Sequence, residues 1–119
     1  MLSDPWLKRW LALAVTHAGE APVLEIGCGH GDDTAVLAGA GLKVTAFDLS
    51  RAAVAVAKAR VPSATITRRD IRDAFPLEAQ QAGLVVAGLS LHYFGWEETL
   101  SIVERVREVL RPVACCYAA

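Results

Sequence analysis

The stretch VLEIGCGHGDD, residues 23–33, constrains this chain more than any other. Val23, Leu24 and Ile26 make a short apolar run bounded by Pro22 and Gly27, which reads as a buried strand. Gly27, Gly29 and Gly31 then alternate, and Asp32 and Asp33 follow at once. Glycines in that pattern let the chain turn sharply, let the next helix pack close, and let a ligand approach bare backbone. A strand, a glycine turn and a helix are the opening of a parallel α/β unit.

The rest of the chain repeats that alternation. Residues 4–18 read as an amphipathic helix, with Asp4-Pro5 as its start, Gly19 as its stop, and Trp6, Leu7, Trp10, Leu11, Ala14 and Val15 as its apolar face. The tryptophans of that face either pack on the sheet edge or cover an acceptor pocket. Residues 32–40 read as a second helix, stopped at Gly39 or Gly41. KVTAFD, residues 43–48, is a strand, after which Ser50 caps a helix that runs to Arg60 and closes at Pro62. Residues 64–68 make another strand, and RDAFPLEAQQAG reads as a loop. LVVAGLSL, residues 84–91, is a continuous apolar strand of the kind covered on both faces. Residues 96–110 form a last helix with Leu100, Val103, Val106 and Leu110 on one stripe, and residues 113–118 read as a final short strand or an irregular end. The expected fold is therefore α/β: a Rossmann-like, doubly wound, mostly parallel sheet in a three-layer α/β/α sandwich, with right-handed crossovers. Ligands in such sheets sit at the carboxyl ends of the strands near the switch point.

A chain of 119 residues fits one domain: a leading helix over 1–20, a binding core over 21–112, and an irregular or truncated end over 113–119. The net charge is −1 and no basic stripe is present, so nucleic acid is not an expected partner. Cys28, Cys115 and Cys116 match neither a disulfide framework nor a metal site, which points to a reducing cytoplasm. The basic pair and apolar run of residues 8–15 are too short for a secretory leader, and no stretch approaches a membrane span.

The acids select among ligands. Asp48 ends the second strand, where a carboxylate can accept both hydroxyls of a ribose or share a helix cap with Ser50. A dinucleotide would set its pyrophosphate at the helix start, where free amides and the dipole favour anions. Asp32 and Asp33 put negative charge there instead, Glu25 adds a third acid, and Asp32 stands where the dinucleotide fingerprint has Gly or Ala. A nucleoside with a cationic group and no phosphate suits this turn better.

At these residues the chain resembles a class I S-adenosylmethionine-dependent methyltransferase. LEIGCGHG resembles the family's first motif, VTAFDLS the second, RRDIRDAFP the third, and LVVAGLSLHYFGWEETL the fourth strand with its helix. The resemblance covers the chain from Val23 to Pro112. It implies S-adenosyl-L-methionine as cofactor and a small-molecule methyl acceptor. It also implies roles for single residues. Glu25 would order the turn and approach the methionine ammonium, and Gly27, Cys28, Gly29 and Gly31 would line methionine and ribose. Asp48 and Leu49 would hold ribose and adenine. Asp70 and the Ile71 amide would meet the adenine edge, and Ala87 and Gly88 would offer carbonyls to the ammonium. His92, just past the fourth strand, is either a general base for a proton-bearing acceptor or a pocket-wall histidine.

Two departures from the family pattern stand out. Gly83 replaces an acid that usually precedes the fourth strand. After VLRP the chain reads VACCYAA, without the usual last two strands, so a truncated or frame-altered chain with an exposed sheet edge prone to dimerise is expected. Three functional readings stay open at this point: an active small-molecule methyltransferase, a catalytically incomplete cofactor-binding remnant, and a dinucleotide-binding oxidoreductase fragment.

Overall fold

The computed structural model describes the backbone of residues 5–87 and 95–118, and the side chains of residues 10–87 and 95–111. The elements in order are α1 (Pro5–Ala18), β1 (Val23–Ile26), α2 (Asp32–Gly39), β2 (Val44–Asp48), α3 (Arg51–Arg60), β3 (Thr65–Arg68), β4 (Ala82–Ala87), α4 (Trp96–Val109) and β5 (Leu110–Ala118). The strands form one sheet in the order β3-β2-β1-β4-β5, with every pairing parallel. The chain leaves β1 towards β2 and β3, then crosses back to place β4 on the other side of β1. The switch point therefore lies between β1 and β4, and the glycine turn stands at its carboxyl end.

Strand residues alternate between two apolar layers because successive side chains point to opposite faces. Val23, Val44, Ala46, Ile66, Leu84 and Val86 pack with Ala14 and Ala18 of α1, Leu37 of α2, and Val54 and Ala57 of α3. Leu24, Ile26, Phe47, Val85 and Ala87 pack on the other face with Ile71 and with Ile102, Val106 and Val109 of α4. All four β1 residues and all six β4 residues are buried, as expected of strands covered on both sides.

Several boundaries and faces differ from the sequence reading. β4 begins at Ala82, two residues before the expected start, and carries Gly83 inside the strand. A Cβ on Gly83 would lie 2.8 Å from the Ala21 Cβ and 2.9 Å from the Ala18 carbonyl oxygen. The missing family acid thus has a steric reason: the end of α1 sits directly on this backbone. β5 begins at Leu110, three residues before the expected start, and pairs with β4 as far as Ala118, so residues 113–118 are strand and not an irregular end. The buried stripe of α4 is Ile102, Val106 and Val109, while Leu100 and Val103 face solvent. On α1, Ala14 and Ala18 are buried and Trp10 and Val15 are exposed. In both helices the large apolar residues suggested one face, and the sheet took the face with the closer fit.

Candidate functional site

The turn after β1 is held in left-handed backbone at three alternate positions: Gly27 at φ 74°, Gly29 at φ 55° and Gly31 at φ 92°. Two of the three have separable reasons. A Cβ on Gly31 would come within 3.2 Å of Ala57 on α3, so both conformation and close helix packing demand glycine. A Cβ on Gly29 would meet nothing within 4 Å, so only the backbone angle demands it and the space beside it is open. The turn is tied to β2 through its amides: those of Gly27 and Cys28 donate to the Phe47 carbonyl (3.0 and 3.1 Å).

Asp48 is the central group of this arrangement. Its Oδ2 accepts from the Gly29 amide at 2.9 Å, and its Oδ1 accepts from the Ser50 amide at 2.9 Å. The carboxylate is thereby fixed between the glycine turn and the start of α3, while Ser50 caps α3 through its own hydroxyl, which accepts from the Ala53 amide (3.2 Å). The side-chain cap of α3 is therefore the Ser50 hydroxyl, not the Asp48 carboxylate.

Glu25 is 3% exposed, and the hydroxyl of Thr34, itself buried in the first turn of α2, donates to its Oε1. Burial pushes the Glu25 carboxyl up to about 7; the Thr34 bond pulls the other way, and the neighbouring Asp33 and Asp48 add to the rise. Burial likewise pushes the Cys28 thiol up to about 12, with Glu25 and Asp48 contributing. Cys28 is a packed wall residue, and its thiol stays protonated at neutral pH.

The charge inventory of the turn is smaller than the sequence count. Asp32 pairs with Arg60 at 2.5 Å, and the guanidinium holds its carboxyl below the usual range. Arg60 also donates to the His30 carbonyl at 3.2 Å. Asp32 thus faces a guanidinium from α3 across an exposed ion pair and is not an unpaired charge. Asp48, Asp33 and the buried, readily protonated Glu25 also lie near the glycines. Neither Arg60 nor Thr34 was visible as a partner in sequence, since they lie 28 and 9 residues from the acids they meet.

The third segment follows β3 and lies next to Asp48, whose carbonyl accepts from the Arg69 amide at 3.0 Å. Asp70 Oδ1 accepts from the Arg72 amide (2.9 Å), and the Asp70 amide faces Asp73 Oδ2 (3.2 Å), which folds Asp70–Asp73 into a closed turn. Three arginines make exposed hydrogen bonds around this segment: Arg68 donates to the Leu49 carbonyl, Arg69 to the Ala74 carbonyl and Arg72 to Glu98. Ile71 is buried and Leu49 is 54% exposed. Ala87 closes the described part of β4 beside Ile26. Gly88 and His92 lie outside the described residues.

The structure thus gathers Glu25, the three glycines, Asp48, Leu49, Asp70, Ile71 and Ala87 at the carboxyl ends of β1, β2, β3 and β4. Among the described residues, no helix is long and apolar enough to cross a membrane.

A trans-aconitate 2-methyltransferase of Delftia acidovorans is 38% identical over 81 residues, covering 66% of this chain and 30% of that protein. The structure of an S-adenosylmethionine-dependent methyltransferase from Mesorhizobium loti superposes with a TM-score of 0.73 at 25% identity, covering 89% of this chain and 49% of that one. The CcbJ methyltransferase of Streptomyces caelestis shares the fold with a TM-score of 0.82 at 23% identity, over 98% of this chain and 49% of that one. The chain thus spans about a third of the Delftia relative and about half of the two structures. The family described as methyltransferase domain matches residues 23–113, which take in the glycine turn, Asp48, the Asp70 turn and α4, and the chain belongs to that family.

Proposed function

We propose that the chain binds S-adenosyl-L-methionine at the carboxyl end of the sheet and that the protein transfers its methyl group to a small molecule. One observation carries this reading: Asp48 stands at the end of β2 with each carboxylate oxygen oriented by one backbone amide. Each oxygen keeps acceptor capacity for a ribose hydroxyl. The open space beside Gly29 suits a ligand lying against bare backbone. The exposed Leu49 offers an adenine ring an apolar cover, and the Asp70–Ile71 turn offers its edge an acceptor and an amide. Glu25 near Asp33 and Asp48 supplies the negative field that a cationic ammonium would neutralise. The residual acids still disfavour a pyrophosphate, although Asp32 does less of this than the sequence suggested.

When bound, the cofactor supplies a methyl group already activated on a sulfonium. The protein's contribution is then placement of donor and acceptor, worth up to about 7–11 kcal/mol when fully realised. His92 is our candidate base for an acceptor that carries a proton. An unchanged pH–rate profile in His92→Gln would remove it from that role. The compartment we propose is the cytoplasm.

Isothermal titration with S-adenosylhomocysteine, S-adenosylmethionine and NAD tests the cofactor. The first two should bind and NAD should not. Asp48→Ala should weaken binding at least about a hundredfold, since two hydrogen bonds to a charged acceptor contribute about 1.5–3 kcal/mol each. Equal binding by Asp48→Ala, or binding of NAD alone, would overturn the assignment. A methyl-release assay over small acids, beginning with trans-aconitate, separates an active enzyme from a binding remnant.

A further inference from the structure

Arg105 is half-buried on α4, far in sequence from the nucleoside-facing segments, and its guanidinium makes three contacts with the turn after β3. Nη1 donates to the Ile71 carbonyl at 2.7 Å, Nη2 donates to the Asp73 carbonyl, and the guanidinium lies 4.3 Å from the centre of the Phe75 ring. Phe75 in turn packs on Phe47, with ring centres 5.9 Å apart. Phe47 is the residue before Asp48, and its carbonyl receives the Gly27 and Cys28 amides of the glycine turn. A single cation therefore spans the two carbonyls that bracket Arg72 and stacks on a ring that continues to the ribose acid.

We propose that Arg105 is the positioning residue for the base end of the nucleoside site, setting the Asp70 carboxylate and the Ile71 amide against the adenine edge. This rests on the cofactor reading above. The Asp70–Asp73 turn is closed on itself by short-range bonds, but those bonds do not fix where the turn stands relative to the sheet. Exposed ion pairs of Arg72 with Asp70 and Glu98 add little, because such pairs are screened and cost side-chain entropy. The fork of Arg105 fixes two carbonyls of one turn at once, and its planar geometry loses less freedom per bond than a lysine would. Ile71, 8% exposed and packed with Phe47 and Ile102, supplies the apolar floor on which the clamp closes.

The test compares S-adenosylhomocysteine with S-inosylhomocysteine, in which an oxo group replaces the 6-amino group that Asp70 would accept from. The parent should prefer the adenine compound by about tenfold or more, the worth of one hydrogen bond to a charged acceptor. Arg105→Met keeps the apolar stem and removes the fork. It should weaken adenine binding about tenfold, leave inosine binding within about twofold, and so bring the preference close to one. Arg105→Lys, which keeps the charge and one donor direction, should restore part of the preference. Circular dichroism and thermal melts of each variant keep folding separate from selectivity. A preference that survives in Arg105→Met, whether both compounds weaken together or neither does, overturns this inference and leaves the cofactor reading standing. A parent that binds the adenine compound without preferring it also overturns this inference. A parent that binds neither compound overturns the cofactor reading and this inference with it.

Discussion

Raising the pH from about 5 to about 8 should cost the folded protein on the order of 3 kcal/mol through one side chain, Glu25. The carboxyl is 3% exposed, and its pKa moves from the ordinary 4.5 to about 7. Below pH 4.5 the acid is protonated whether the chain is folded or not, and burial of the neutral form carries no ionic penalty. Between 4.5 and about 7 the unfolded chain loses the proton while the folded chain keeps it, so stability falls as pH rises. Above about 7 both forms are ionised and the loss is complete. At about 1.4 kcal/mol per pH unit across that window, the total is about 3 kcal/mol. Glu25→Gln removes the titration and keeps a carbonyl for the Thr34 hydroxyl. In urea unfolding, the variant should match the parent within about 1 kcal/mol near pH 5 and exceed it by about 3 kcal/mol near pH 8. Using the difference between the two proteins cancels the other titrating groups, including Asp32, whose lowered pKa acts at more acid pH. A bound ammonium near Glu25 should favour the ionised form, so parent affinity for S-adenosylhomocysteine should rise between about pH 6 and 8 while that of the variant stays flat. A stability difference that does not change with pH would refute the buried, proton-holding assignment, whatever the ligand does.

The remaining predictions use the same geometry. Thr34→Val removes the bond that lowers the Glu25 pKa, so the midpoint of the pH-dependent stability loss should move upward; an unmoved midpoint would show that the hydroxyl is not donating to Glu25. Gly83→Ala should destabilise by about 1–3 kcal/mol in denaturant unfolding, because its Cβ would overlap α1 backbone and Ala21. Gly29→Ala has open space but φ of +55°, so it should cost about 1–2 kcal/mol of stability while also weakening S-adenosylhomocysteine, which separates it from Gly83→Ala. Cys28 should resist alkylation at about pH 8 in the folded protein, as read by mass spectrometry of its peptide, since a thiol pushed up to about 12 holds almost no thiolate there.

The parts of this fold legible in sequence are those governed by local pattern. VLEIG announces a buried strand followed by a forced left-handed turn, and the observed angles at Gly27, Gly29 and Gly31 are the ones that only glycine adopts without strain. Ser50 and the alanine-rich run after it announce a capped helix, and the Ser50 hydroxyl does accept from the Ala53 amide. The parallel sheet followed from alternation alone. The faces of α1 and α4 were not legible in the same way. Both helices carry more apolar residues than one stripe can bury, so periodicity permits two faces. Against the sheet lie Ala14 and Ala18 of α1, with Trp10 exposed, and Ile102, Val106 and Val109 of α4, with Leu100 and Val103 exposed.

Charge was the least legible property, since a sequence counts acids without their partners. Asp32, Asp33, Glu25 and Asp48 look like four equal negative charges around one turn. In three dimensions they differ. Asp32 is paired with Arg60, Glu25 holds its proton near neutrality, and Asp48 is oriented by two backbone amides. The preference proposed for a cationic nucleoside over a diphosphate therefore does not rest on summed charge. We attribute it to position: the Asp48 carboxylate, held by the Gly29 and Ser50 amides at the end of β2, is where the proposed ribose would lie. At the helix start that would cradle a phosphate, one amide is also already taken. Gly31 is packed against Ala57, and its amide is already committed to the Cys28 carbonyl at 3.0 Å. An anion seeking that amide would have to unmake the turn that presents it.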